Sequence, residues 1–185
     1  MTEAGFITHV EVFALEHMPP SLAILGAGPI GIELAQVFSR FGSRVTVVGM
    51  LDRVLPREDV EVSHAVAEIL KSEGIGLVLG ESAIRVDTKG GLKRVTTSSD
   101  RSIEVEEILV AAGRMPNVET LGLEAVGVHA SKTGIDIDRK LQTSAGSIHA
   151  AGDVTGKILF THVAEYQGRL LTGNLLFSLK RKASY

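Results

Sequence analysis

Ser21–Arg40 reads SLAILGAGPIGIELAQVFSR. The short apolar run Ser21–Leu25 stops at Gly26-Ala27-Gly28-Pro29-Ile30-Gly31, after which Ile32, Leu34, Ala35, Val37, Phe38 and Phe41 recur at helical spacing. A brief apolar run bounded by glycine suits a buried strand, and the 3.6-residue recurrence suits a helix. Gly42 stands where a left-handed residue closes a helix. Working outward, Arg44–Val48 (RVTVV) is rich in β-branched residues and reads as a second strand. Asp59 then offers an N-cap and Glu61 an acid in the first turn. Val62, Val66, Ile69 and Leu70 line one face of the helix that follows, which Gly74 ends, and Gly76–Leu79 reads as a third strand. The order βαβαβ calls for a parallel sheet with right-handed crossovers.

The period then changes from helical to alternating. Ala83–Thr88, Leu92–Ser98 and Ser102–Val105 read as short strands joined by Gly90-Gly91 and Ser99-Asp100-Arg101. Those are hairpin signals, so an antiparallel three-stranded meander is expected. Glu107–Ala112 returns as a buried strand ending at Gly113. A loop with Pro116 and Asn117 follows, then short strands at Ile135–Ile137 and Ile148–Ala151 and a final helix at Val163–Leu179. The expected fold is α/β: a parallel sheet with helices on both faces, interrupted by the meander.

Composition removes several classes. The 185 residues are 44% hydrophobic and 22% charged, enough to bury a core and too ordered a mixture for a disordered tail, coiled coil or fibre. A net charge of −3 gives no basic field for nucleic acid. The chain has no cysteine, which excludes disulfides, thiolate metal sites and any thiol nucleophile of its own. His9, His17, His64, His129 and His149 form no HExxH or i, i+4 pair, so no metal site is expected. No run of 18 apolar residues occurs, and MTEAGFITHVEVF lacks the layout of a secretory leader. A cytoplasmic protein with no membrane partner is therefore expected. Lys180-Arg181-Lys182 reads as a solvated helix end.

Gly26, Gly28 and Gly31 form G-x-G-x-x-G between a strand and a helix. Each glycine has its own reason: the tight turn at Gly26, close approach of a pyrophosphate at Gly28, and helix–strand packing at Gly31. Pro29 and Ile30 lie within the turn, and the N–H groups of the helix start would hold the anion. In this strand–helix–strand setting the motif predicts a Rossmann-like, dinucleotide-binding unit. An NAD site should carry an acid at the end of the second strand, ~20 residues on, for the ribose 2′-hydroxyl. Gly49-Met50 stands there instead, with Asp52, Arg53 and Arg57 beyond. The choice between NAD and NADP stays open on these residues.

Further segments follow in order: EILVAAGRMPN, then LQTSAGSIHAAGDVTG, then FTHVAEYQGRL. Together with LAILGAGPIGIELAQVF they resemble the FAD-dependent pyridine nucleotide–disulfide oxidoreductases, and LPREDVEV and FTHVAEYQGR look most like the mercuric reductase and dihydrolipoamide dehydrogenase branches. The resemblance runs from about Thr8 to Tyr185. It implies that Gly26, Gly28 and Gly31 hold the NAD(P) pyrophosphate, that Glu33 lies near the nicotinamide end, and that the nicotinamide half lies over Gly113 and Arg114. It also implies that Asp153, with Gly152, bonds a flavin ribityl hydroxyl. His162 and Val163 would then begin a helix aimed at the flavin ring. Residues 21–144 would form the NAD(P) domain, and 1–20 and 145–185 pieces of the FAD domain.

The same resemblance marks what is lacking. Relatives have a flavin-binding glycine turn, a helix with two redox cysteines and a dimerisation domain with a catalytic histidine. None appears here, so no catalytic residue is assigned and the chain alone is expected to be inactive. Loss of those parts should expose an apolar face around Val163, Leu170, Leu171 and Leu175, covered by self-association. Two other functions compete on the residues. A self-sufficient dehydrogenase with a Tyr-x-x-x-Lys pair is excluded, because Tyr166 is followed four residues on by Leu170 and Tyr185 is the last residue. A non-enzymatic nucleotide-binding or interaction module remains the alternative.

Overall fold

The computed structural model describes residues 4–185. They form two compact units that divide between Gly113 and Arg114.

In the first unit, β1 (Ser21–Leu25), α1 (Pro29–Arg40), β2 (Arg44–Gly49), α2 (Val60–Ser72) and β3 (Gly76–Leu79) follow one another as the sequence pattern requires. A meander of β4 (Ala83–Lys89), β5 (Leu92–Thr97) and β6 (Ser102–Val105) comes next, and β7 (Glu107–Val110) returns to the parallel sheet. The sheet order is β3-β2-β1-β7, with every pair parallel. Both strands flanking β1 are therefore reached by crossovers, and all four carboxyl ends lie at one edge. Ile7 extends the pattern beside β7: its N–H donates to Ile108 O (2.9 Å) and its carbonyl accepts from Val110 N (2.8 Å).

β1 alternates between two cores, which is why its sequence is apolar throughout. Leu22 and Ile24 join Val45, Val47 and Leu109 under Ile32, Ala35 and Phe38 of α1 and Leu70 of α2. Ala23 and Leu25 face the other way, with Val48, Ile108 and the meander residues Val95 and Val105. Each fully buried Leu or Ile contributes roughly 2 kcal/mol through removal from water. The α/β class, the parallel sheet and the meander are as the sequence predicts, and the two faces of the sheet are covered differently within the first unit. α1 and α2 cover the same face, and the meander covers the opposite one.

Both helices close as their sequences suggest. Gly42 N–H donates to Ser39 O and Ser43 N–H to Phe38 O, both 3.0 Å, the pair of bonds that satisfies a helix's last carbonyls. Gly74 and Ile75 repeat the pattern on α2. Asp59 sits at the α2 N-cap, but its side chain makes no capping bond. The C-terminal ends of the two helices are tied at Glu73, which accepts from Arg40 Nη2 (2.6 Å) and Gln36 Nε2 (2.9 Å). A second carboxylate, Glu81 after β3, accepts from Ser99 Oγ (2.5 Å), Thr97 Oγ1 and Arg101, and so pins the meander's β5–β6 turn.

The bonds from Ser99 and then Thr97 hold the Glu81 carboxyl below its ordinary range, and the bonds from Arg40 and then Gln36 do the same for Glu73. A carboxyl whose folded value is depressed adds stability above its unfolded value and loses it as pH falls through the folded one. Acid unfolding of the wild type should therefore steepen in the carboxylate range. In a Glu73→Gln/Glu81→Gln chain that dependence should be shallower, as read by far-ultraviolet circular dichroism at stepped pH.

The second unit is mostly loop. β8 (Ala130–Ser131) and β9 (Gly134–Ile135) form a small hairpin, and α3 (Thr161–Phe177) is the one long element. Two small cores hold it: Val128, Ile135 and Ala150 in one, Leu141, Leu170 and Ala183 in the other. The strand expected at Ile148–Ala151 is reduced to a single bridge between Gln142 and His149. Ile148 N–H turns back to Ala145 O (2.8 Å), and Thr143 N–H to Ile148 O (2.9 Å) and Ala150 N–H to Leu141 O (3.1 Å) pair the segment with the chain just before that tight turn. The last helix begins two residues before the expected Val163 and ends at Phe177 instead of Leu179. Ser178, at φ 52°, is the left-handed residue that stops it. Among the described residues no helix is long and apolar enough to cross a membrane.

The apolar face expected around Val163 and Leu170 is not bare. Both are buried, and Leu170 packs with Leu141 and Ala183. Leu175, Leu176, Phe177 and Leu179 are the exposed apolar residues there.

Candidate functional site: a glycine turn and a pinned acidic loop

In the first unit the G-x-G-x-x-G turn sits at the carboxyl edge of the sheet. Strand order reverses between β1 and β7, so the turn after β1 and the loop after β7 flank a topological switch point, where ligands bind in open parallel sheets. Three glycines there do three jobs, and the geometry separates them. Gly26 has φ +129°, and a Cβ on it would overlap the Ala111 carbonyl at the end of β7. A Cβ on Gly31 would overlap Gly26 O, so α1 can approach the turn only with glycine at that position. Gly28 differs: it has ordinary extended backbone (φ −81°, ψ −178°), and a Cβ there meets nothing within 4 Å. The fold does not require glycine at 28, and the space above it is open.

Gly28 is the N-cap of α1 and Pro29 its first residue, and no side chain caps the helix. Ile32 N–H is bonded to Gly28 O (3.0 Å), which leaves the N–H groups of Ile30 and Gly31 ahead of the first intrahelical bond. The positive end of a twelve-residue helix thus opens beside Gly28. Glu33 is exposed on α1, one turn further along. Gly113, with φ +133° and open space around it, ends the β7 loop at the same sheet edge.

Gly49 ends β2 and is buried. A Cβ on it would lie 2.9 Å from Ala27 Cβ and 3.0 Å from Leu79 Cδ2. Packing under the glycine turn therefore accounts for glycine at the place where an NAD site would carry its acid. The loop beyond folds back: Leu55 N–H donates to Ala27 O (2.8 Å), and Arg53 Nη2 donates to Pro56 O (2.8 Å).

In the second unit, Arg114 and Asp153, 39 residues apart, form an ion pair at 2.6 Å with both side chains part-exposed. Gly152 stands at φ +81°, and its carbonyl accepts from Thr155 Oγ1 (2.8 Å) and Thr155 N (3.0 Å). Gly152 N–H donates to Gln167 Oε1 at 2.5 Å. Gln167 is 1% exposed, and its Nε2 donates to Tyr185 Oη at 2.5 Å. The loop bearing Asp153 is thus gripped at a backbone amide, a carbonyl and the carboxylate. His162 lies in the first turn of α3 and stacks on Phe160 (centroids 5.4 Å, 13° between planes), while Val163 is buried. Sequence reading missed Gln167; the signal was a polar residue on the buried stripe Val163, Gln167, Leu170. No group of three or more potential metal ligands occurs among the described residues.

The family model described as pyridine nucleotide-disulphide oxidoreductase matches residues 2–168. Mercuric reductase from Staphylococcus aureus is 37% identical over 186 aligned residues, covering 98% of this chain and 34% of the relative. Dihydrolipoyl dehydrogenase from Mycobacterium leprae is 39% identical over 172, covering 91% of this chain and 37% of the relative. Among solved structures, the HOCl-induced flavoprotein disulfide reductase RclA from Escherichia coli superimposes with a TM-score of 0.90 at 32% identity, over 96% of this chain and 41% of the other. The chain spans about a third of the length of the curated relatives it matches. With a family match over residues 2–168 and relatives 37–39% identical over nearly all of its length, the chain belongs to the pyridine nucleotide-disulphide oxidoreductases.

Proposed function

We propose that this chain is the NAD(P)H-binding part of a flavin-dependent oxidoreductase in which hydride passes between NAD(P)H and FAD. The observation that carries this reading is the open space at Gly28, beside the uncapped start of α1 and at the switch point of the sheet. A pyrophosphate suits that helix start by charge, and no protein atom lies within 4 Å of where a Gly28 Cβ would stand. Gly26 and Gly31 shape the turn, Pro29 sets the first helical residue, and the N–H groups of Ile30 and Gly31 supply donors. Glu33, Gly49 and Gly113 belong to the same proposed site, along the nucleotide's two halves. Residues 21–144 form the proposed NAD(P) domain, flanked by flavin-domain pieces at 1–20 and 145–185.

Gly152, Asp153, His162 and Val163 are assigned to flavin, and Arg114, with Gly113, to the nicotinamide half. FAD, when bound, supplies the electron-accepting ring. Asp153 suits a ribityl hydroxyl because a carboxylate accepts such a proton strongly, and its pairing with Arg114 at 2.6 Å orients it. Val163 anchors the first turn of α3, whose positive end would favour negative charge on a neighbouring ring.

Two experiments test this. Titration with NADH and with NADPH, followed by nicotinamide fluorescence, should show weak binding of both, with dissociation constants within about tenfold of each other. Gly49 leaves no room for the carboxylate that would favour NADH. A folded sample that binds neither at millimolar concentration would sink the reading. The second experiment is absorbance in the flavin band. The chain has one glycine turn, assigned here to the nicotinamide nucleotide, and no cysteine. It should therefore purify colourless and should not couple NADPH oxidation to a dithiol or mercuric acceptor; stoichiometric yellow protein would overturn that expectation.

A further inference from the structure

Beyond α3 the chain turns back along the helix it has just left. Ser178 at φ 52° and Lys180 at φ 53° reverse its direction, and residues 178–185 then run from the last turns of α3 toward its first. Each contact lies further back along the helix. Asn174 Nδ2 donates to Arg181 O (2.8 Å), and Arg181 N–H donates to Asn174 Oδ1 (2.7 Å). Ala183 is 4% exposed and packs with Leu170 and Leu141. Its N–H donates to Arg139 O (2.6 Å), and Arg139 Nε donates to its carbonyl (3.3 Å). Ser184 N–H donates to Tyr166 Oη (3.1 Å), and Tyr185 Oη accepts from Gln167 Nε2 (2.5 Å). Asn174, Leu170, Gln167 and Tyr166 stand at i, i−4, i−7 and i−8, on one face of the helix. The segment is a strap fastened along α3.

Gln167 is the point at which the strap meets the acidic loop. Its Oε1 accepts from the N–H of Gly152, the residue before Asp153, and its Nε2 donates to the strap. The side chain is 1% exposed, so a single amide shielded from water serves both neighbours. Its two ends are chemically different: one only accepts and the other only donates. With Tyr185 Oη holding the donor end, the acceptor end stays aimed at Gly152. The Tyr185 ring stands edge-on to Tyr166 (centroids 6.2 Å, 76° between planes), which fixes where that hydroxyl lies. With the strap lifted, water reaches the amide and competes for both ends, and a bond that was strengthened by its dry surroundings weakens.

We infer that residues 178–185 latch the Gly152–Asp153 loop through Gln167: a docked strap holds the loop in place, and a lifted strap frees it. Asp153 is then oriented from two sides, by Arg114 at its carboxylate and by the strap, through Gln167, at the amide just before it. The latch stands on these contacts; only its consequence for a flavin hydroxyl at Asp153 rests on the reading above.

Hydrogen exchange of the full chain without flavin, read peptide by peptide by mass spectrometry, tests the latch independently of that reading. In wild type the amides of residues 152–156 should be protected. Tyr185→Phe removes the hydroxyl and keeps the ring, and it should speed exchange at 152–156 about tenfold. The amides of α3 should stay protected in this variant, which separates a freed loop from an unfolded unit. Ala183→Asp sets a charge where a methyl is buried, and by lifting the strap it should free the loop at least as much. In a Gln167→Met chain, Tyr185→Phe should add nothing further, because the coupling runs through the amide. The proposal is overturned by a loop that is unprotected in wild type, or by strap variants that free residues 178–185 and leave 152–156 unchanged. It is overturned equally by a Tyr185→Phe chain whose α3 exchanges as fast as the loop, or by a Tyr185→Phe effect of the same size with and without Gln167.

Discussion

Gly28→Ala should leave the first unit as stable as wild type and weaken nucleotide binding about tenfold or more, whereas Gly31→Ala should lose stability and binding together. The geometry sets the contrast. A Cβ at 28 meets no protein atom within 4 Å, and the backbone there is already in a conformation alanine adopts. Alanine gives up some N-cap preference and gains from a less flexible unfolded chain, so the net change stays within about 1 kcal/mol. Its methyl would instead occupy the space in which a pyrophosphate must approach the helix start. At 31 the added methyl overlaps the Gly26 carbonyl, a backbone atom that cannot step aside without moving the turn against Ala111. Overpacking of that kind costs roughly 1–3 kcal/mol, and two backbones are involved, so the upper end applies. Urea unfolding followed by circular dichroism gives the stability arm and NADPH titration the binding arm. Wild-type affinity in Gly28→Ala would remove the main support for a nucleotide at this turn.

The sequence was most legible where both faces of an element are buried or where backbone geometry demands one residue. The apolar run at Ser21–Leu25 signals a strand covered on both sides, and it is. Gly90-Gly91 and the turn at Asp100 produce the meander where expected. What covers the second face of the sheet was not legible. Helical periodicity shows that α1 and α2 each have one apolar side, but not which sheet face receives it. Val95 and Val105 alternate as any half-buried strand would, and their partner is visible only in three dimensions. The packing reason for glycine at 49 was not legible either: the contacts that require it come from Ala27, 22 residues earlier, and Leu79, 30 later. The loop-rich second unit was read least well. Its short hairpin and tight turns rest on side-chain-to-backbone bonds such as Ser144 Oγ to Gly127 O (2.7 Å), which leave no periodic trace.

Gln167→Met should destabilise the second unit by about 2 kcal/mol, although methionine matches glutamine in shape. Gln167 lies on α3 between Val163 and Leu170, all three buried. Its amide accepts from Gly152 N–H and donates to Tyr185 Oη, each at 2.5 Å. Methionine keeps the volume and removes both partners. Gly152 N–H, in a half-buried loop, would then have lost its acceptor, and a donor left unpaired away from water costs roughly 1–3 kcal/mol. Gln167→Glu separates hydrogen bonding from packing. One carboxylate oxygen can still accept from Gly152 N–H and the other from the Tyr185 hydroxyl, but the charge is buried. Burial raises a carboxyl's folded value above its unfolded one, so the stability this variant retains should be present at low pH and lost as pH rises. The chain has two tyrosines, Tyr166 and Tyr185, both in the second unit, and no tryptophan. Intrinsic fluorescence therefore reports this unit alone. Urea midpoints from tyrosine emission should fall for Gln167→Met at every pH, and for Gln167→Glu more at pH 8 than at pH 5. A Gln167→Met chain with the wild-type midpoint would show that the amide fills space and does not hold the Gly152–Asp153 loop.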